Sequence, residues 1–130
     1  MKIASIDVGL KRIGVALGLR GAVVLPQEAI LRQNRNQAAR EVEAFLAEWE
    51  IEILVVGLPK GGASEAEMER RIKHFVGLLE LDNIVVVYQD ERGSSQEAKE
   101  LTKGIFRHKR DGKIDSMAAK IILERWWEAQ

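Results

Sequence analysis

Ile3-Ala4-Ser5-Ile6-Asp7-Val8, Gly9-Leu10-Lys11-Arg12 and Ile13-Gly14-Val15-Ala16-Leu17 follow one another at the start of the chain, and their reading decides the fold. The outer two are short apolar runs and the middle one is a polar stretch with a glycine, the pattern of two strands joined by a tight turn. After Arg20-Gly21, Val23-Val24-Leu25 adds a third hairpin-linked strand. In the first strand, period-2 alternation sets Ile3, Ser5 and Asp7 on one face and Ala4, Ile6 and Val8 on the other.

Downstream the apolar period changes. Ala38, Val42, Phe45, Leu46 and Trp49 recur at helical spacing, which predicts a helix over about 36–49 with Asn34 or Asn36 as its cap. Ile53-Leu54-Val55-Val56-Gly57-Leu58, ended by Pro59, is a continuous run expected of a strand buried on both faces. Ser64-Glu65-Ala66-Glu67 fits a capping box ahead of the stripe Met68, Ile72, Phe75, Val76 and Leu79. Ile84 to Tyr88 reads as another buried strand. A short helix is expected from Ser94 or Ser95, and a last one from about Asp115, with Met117, Ala118, Ile121, Ile122 and Trp126 inward. Adjacent helical residues point about 100° apart, so one of Trp126 and Trp127 is expected at the surface.

Strands separated by single helices are normally parallel neighbours. The expected architecture is therefore α/β, a mixed five-stranded sheet of three antiparallel strands followed by two parallel ones, flanked by helices. At 130 residues, 46% hydrophobic and 31% charged, with no linker or repeat, the chain reads as one domain over 1–130. No apolar run reaches the length of about 18 residues that a membrane span needs, so a soluble cytoplasmic protein is expected. Cysteine is absent, which excludes thiol nucleophiles and thiolate-bound zinc. Lys plus Arg and Asp plus Glu each number 20, so a polyanion can be held only by a local patch.

In α/β sheets ligands gather beyond the carboxyl ends of the parallel strands. Asp7, Asp90-Glu91 and Asp115 lie at such ends or at the start of the last helix. Carboxylates brought together there need compensating positive charge, which hard divalent cations bound through oxygen supply. Two magnesium or manganese ions about 4 Å apart can activate a water and stabilise the leaving oxygen of a phosphodiester. Taken singly, the same residues read as a turn former, a strand end and a helix cap. Gly9 allows the tight turn after Asp7, and Gly14 leaves room beside the second strand.

Four stretches together carry a resemblance: Asp7-Val8-Gly9-Leu10-Lys11-Arg12-Ile13-Gly14-Val15-Ala16, Val55-Val56-Gly57-Leu58-Pro59, Asp90-Glu91-Arg92-Gly93-Ser94-Ser95-Gln96-Glu97-Ala98 and Asp115-Ser116-Met117-Ala118-Ala119-Lys120-Ile121-Ile122-Leu123. They resemble the four signatures of the YqgF/RuvX family, in order and over nearly the whole chain. The resemblance implies an RNase H-like fold, kinship with RuvC-type Holliday junction resolvases, and metal-dependent nuclease activity in maturing the 5′ end of precursor 16S ribosomal RNA. Carried over residue by residue, it implies Asp7, Glu91 and Asp115 as the catalytic and metal-holding acids. Asp90 is the alternative for the middle place, although it points to the opposite face of an extended segment from Glu91. Gly61-Gly62-Ala63-Ser64 departs from the family's usual longer polar loop.

The most basic segment, Lys103 to Lys113, runs into Asp115 and offers Arg107, Lys109, Arg110 and Lys113 to phosphates and Phe106 to a base. With Lys11, Arg12 and Arg92 these are the expected nucleic-acid contacts, and a solvated charge run is the bland alternative. His74 reads as a surface residue rather than a ligand. The partners expected are nucleic acid, either structured or precursor ribosomal RNA or branched DNA, and ribosomal particles, bound by a monomer or homodimer. Two other functions are weighed. An ATPase of the sugar kinase and actin kind opens with a similar Asp-x-Gly hairpin but needs two such domains. A binding module without turnover gains nothing from carboxylates facing a phosphate backbone.

Overall fold

The opening hairpin forms as expected. β1 (Lys2–Val8) and β2 (Arg12–Leu19) pair antiparallel, with Asp7 opposite Gly14, and the Gly9 N–H donates to the Arg12 carbonyl at 3.0 Å to close the turn. The structure is a computed structural model that describes residues 2–19, 23–59, 65–91, 94–101 and 112–130. β3 (Val23–Pro26) pairs with the second half of β2, and β4 (Ile30–Leu31) pairs with β2 at Arg12 and Ile13. This two-residue strand was not expected, and it makes the sheet six-stranded. Two residues carry no readable periodicity, and β4 exists only because β2 outruns β3 and leaves that part of its edge unpaired.

α1 (Arg35–Glu48) starts at Asn34, whose Oδ1 accepts the Gln37 N–H at 2.7 Å while the Gln37 side chain accepts the Asn34 N–H at 3.2 Å. β5 (Ile53–Leu58) returns parallel to β1, α2 (Glu65–Gly77) follows, and β6 (Val85–Asp90) lies parallel to β5. α3 (Ser94–Leu101) and α4 (Lys113–Glu128) complete the chain. The main strand order is β3-β2-β1-β5-β6. The capping box read at Ser64, and the loop before it, lie outside the described residues.

The alternation in β1 divides the molecule. Ala4, Ile6 and Val8 join Ile13, Val15, Leu17, Leu54 and Val56 in the larger core, which α1 and α2 cover through Val42, Leu46, Ile72 and Phe75. Ile3 lies on the other face with Val55, under Ile122 and Leu123 of α4. There the Ser5 hydroxyl, fully buried, donates to the Ala119 carbonyl at 2.6 Å. The Val15 N–H donates to the Ser116 hydroxyl at 3.2 Å, so both buried serines are satisfied where helix meets sheet.

Three expectations are corrected. β6 is not buried: Val85 is 60% and Tyr88 39% exposed, because among the described residues it is an edge strand with a neighbour only in β5. α4 begins at Lys113, two residues before Asp115, with Gly112 at its N-cap in the left-handed region (φ +90°). Asp115 is thus in the first helical turn, where a negative charge suits the helix dipole, and does not cap the helix. Finally, neither Trp126 nor Trp127 is exposed. Both pack half-buried on the second core, because glycine at Gly18 leaves a slot beside the Trp127 ring.

Candidate active site

Gly14 explains how an acid near the end of the sequence reaches one at its beginning. A Cβ at Gly14 would stand 1.9 Å from the Asp115 carbonyl oxygen, so α4 rests with its first turn directly on the β2 backbone. Gly14 is also the register partner of Asp7. The helix therefore delivers Asp115 to the strand position beside Asp7. On the other flank, a Cβ at Gly57 would meet Ile122 Cδ1 at 2.6 Å and Glu91 Oε2 at 2.8 Å. Its missing side chain is the space that Glu91 fills. Glu91 follows β6 directly and extends the ladder, its N–H donating to the Leu58 carbonyl at 3.0 Å. Along β6, Val87 belongs to the α4-side core and Val86 to the other, so alternation puts Glu91 on the Asp7 face and Asp90 on the opposite one.

These placements fix the electrostatics. The carboxyl of Asp7 is pushed well above the ordinary carboxylate range, first by burial, then by the charge of Glu91 and a hydrogen bond with its side chain, and then by Asp115. Burial and neighbouring acids both disfavour the ionised form of Asp7. Asp115 is compensated differently: Arg12 Nε donates to its Oδ2 at 3.0 Å. The site is thus a buried acid, Asp7, crowded by Glu91, next to a third acid that carries its own counterion.

The profile of the RuvX Holliday junction resolvase family matches residues 1–129. The chain belongs to this family. A Sulfurovum protein named "Putative pre-16S rRNA nuclease" is 75% identical over 125 residues, 96% of this chain and 97% of that one. A Campylobacter jejuni protein of the same name is 51% identical over 128 residues, 98% of each chain. Among solved structures, the fowlpox virus Holliday junction resolvase aligns over 100% of both chains with a TM-score of 0.62 at 14% identity. Thermus thermophilus RuvC with its Holliday junction substrate aligns over 99% of this chain and 94% of that one, with a TM-score of 0.60 at 12% identity. The RuvX-family chain therefore has the RNase H-like fold of these resolvases.

The donor chemistry of the RuvX site, three carboxyl groups and no nitrogen or sulfur ligand, fits a hard divalent cation. Positive charge placed beside Asp7 would offset the crowding of Asp7 by Glu91 and Asp115. Among the described residues no three acidic or histidine side chains are gathered into one chelate, in keeping with the engagement of Asp115 by Arg12. Of the expected nucleic-acid contacts, Lys11 is exposed in the β1–β2 turn and Lys113 is exposed at the start of α4, whereas Arg12 is held by Asp115. Arg92, Arg107, Lys109 and Arg110, with Phe106, lie outside the described residues. No described helix is long and apolar enough to cross a membrane.

Sequence reading passed over two features of this region. Gly14, Ala16 and Gly18 alternate along β2, a run of small residues that marks the face on which a helix lies close. Arg32, Arg35, Arg70 and Arg71 converge near the end of β1 from two separate segments. No linear motif announces that cluster.

Proposed function

We propose that this RuvX-family nuclease hydrolyses phosphodiester bonds at the 5′ end of precursor 16S ribosomal RNA, with Asp7, Glu91 and Asp115 as its catalytic acids. What supports this reading is the approach of Glu91 and of Asp115 to Asp7, across Gly57 and Gly14, at the carboxyl ends of β1 and β6. The names of the relatives at 75% and 51% identity supply the substrate. Asp7 and Glu91, with Asp115 once released from Arg12, would hold magnesium or manganese. Bound divalent ions supply an activated water and neutralise charge developing at the phosphate. The residues supply the rest. A cation arriving beside Asp7 would favour its ionised form against the burial and the neighbouring acids that keep it protonated. Arg12 orients Asp115 and keeps its charge balanced in the resting site. Lys11, exposed in the β1–β2 turn two residues past Gly9, offers an ammonium to a backbone phosphate.

The test is cleavage by wild type and Asp7→Asn with magnesium or manganese on end-labelled precursor 16S RNA fragments, single-stranded RNA and a four-way DNA junction. Metal-dependent cutting of the precursor RNA, lost in Asp7→Asn, is the expected result. Cutting confined to the junction transfers the chain to branched DNA, the reading that the family description carries. Binding of RNA without any cutting, in the presence of ribosomal particles as well as without them, sinks the nuclease reading.

A further inference from the structure

The acids lie on the α4 face of the sheet, and the opposite face holds a second concentration of charge that the catalytic reading leaves unused. Between the start of α1 and the length of α2, at the carboxyl end of β1, is a cleft of about 420 Å³. Val8, Ile72 and Phe75 are among its apolar lining. Its charged lining is four arginines, Arg32, Arg35, Arg70 and Arg71, against one acid, Glu67. Glu67 is already taken by Arg71 at 2.6 Å. In a chain with no net charge, this is a marked local excess.

The arginines are arranged rather than merely near. Arg32 Nη1 donates to the Gly9 carbonyl at 2.6 Å, and its guanidinium lies 5.2 Å from the Phe75 ring centroid, which fixes its plane. Arg35 Nη1 lies 3.1 Å from His74 Nε2, and Arg35 makes no ion pair among the described residues. Arg70 makes no ion pair among the described residues. Burial and the neighbouring Arg35 hold the Arg32 guanidinium below its ordinary value, the mark of like charges crowded together. A planar guanidinium presents paired N–H donors that match two phosphate oxygens, and an anion entering here relieves the crowding.

We propose that this cleft binds a phosphoryl group of the nucleic-acid strand, held by Arg35 and Arg70 with Arg32 behind them, so that the strand crosses the end of β1 between the cleft and the acids. Val8 and Gly9, which line the cleft, directly follow Asp7 in the chain. The identity of the polymer rests on the function proposed above, whereas the affinity for a phosphoryl group does not.

The experiment is fluorescence anisotropy of labelled single-stranded RNA on Asp7→Asn protein, where binding is read without turnover. Each strand is offered with a 5′-phosphate and with a 5′-hydroxyl, over a series of salt concentrations. Replacing both Arg35→Ala and Arg70→Ala on that background is expected to weaken binding at least fivefold and to lower the salt slope by about one, as expected for lost phosphate contacts. A loss confined to the 5′-phosphate strand assigns the cleft to a chain terminus, and an equal loss on both assigns it to an internal phosphodiester. Affinity within twofold of the parent on both strands, with the slope unchanged, overturns the proposal. Both side chains are exposed, and Arg35→Lys with Arg70→Lys, which keeps the charge, is expected to restore the salt slope but only part of the affinity. Because this assay needs no cleavage, it can fail while the nuclease reading stands, and the reverse.

Discussion

The two faces of the sheet are built from different materials. On the α1–α2 face, β1 and β2 present Ile6, Val8, Ile13, Val15 and Leu17, and the helices answer with Leu46, Ile72 and Phe75. On the α4 face the same two strands present Ser5, Asp7, Gly14 and Gly18, answered by Ser116, Ala119 and the carbonyl of Asp115. Large side chains hold layers together by the area they remove from water, and tolerate small shifts. Small residues bring backbones into contact, and backbones do not yield. One face therefore supplies stability, while the other trades part of it for fixed positions of charged groups.

The sharpest break in this comparison is Asp7→Asn, which should lower cleavage by about a thousandfold or more in single-turnover assays, since the site depends on that carboxylate. The same variant should be more stable than wild type at neutral pH. Asp7 has a higher pKa folded than unfolded, so the folded protein binds the extra proton. Its contribution is intact below the ordinary value of 3.8 and is lost as pH rises through the raised one. The Tm advantage of Asp7→Asn should thus be near zero in acid and grow to roughly 3–6 °C at pH 7. Magnesium should narrow the gap by raising the wild-type Tm alone. An Asp7→Asn protein less stable than wild type at pH 7 would contradict the crowded-acid description.

Next in size is Leu46→Ala, which empties a fully buried position on the α1–α2 face and should cost about 2–5 kcal/mol in urea unfolding. The turnover of the protein that remains folded should not change. Gly14→Ala should show the opposite split. Its Cβ would collide with the Asp115 carbonyl, so a cost of about 1–3 kcal/mol should come with a larger loss of cleavage as Asp115 is lifted away. Equal losses of activity in these two variants, compared at matched fractions folded, would erase the distinction between the faces. Smallest is Ser5→Ala, which removes the hydroxyl's bond to the Ala119 carbonyl and should cost about 1 kcal/mol by the same unfolding measurement.

The parts of this architecture legible in the sequence were those written in periodicity. Alternation in Ile3 to Val8 separated the two faces correctly, and the spacing of Val42, Leu46, Ile72 and Phe75 named the helix positions that cover the larger one. The exposure of β6 was not legible, because Val85 to Tyr88 reads as an apolar run whether or not a further strand lies beyond it. Of the site, Gly14 could be read as leaving room, but not for what. Only the antiparallel register with Asp7 and the landing of α4 turn that room into a place for Asp115. The arginine cleft was beyond reach, since Arg32 and Arg35 meet Arg70 and Arg71 only after α1 and α2 have packed side by side.

The hydrogen bond from Ser5 to Ala119 spans 114 positions of the chain, and the contact of Gly14 with Asp115 is nearly as remote. During synthesis, β1 and β2 emerge before every other described element and α4 after them. A nascent chain that has reached β6 already owns Asp7 and Glu91, but it has neither the third acid nor the helix that shields the serine face from water. Such a chain has every strand of the sheet and an incomplete centre. The third acid and the cover of the serine face therefore arrive together, with the docking of α4.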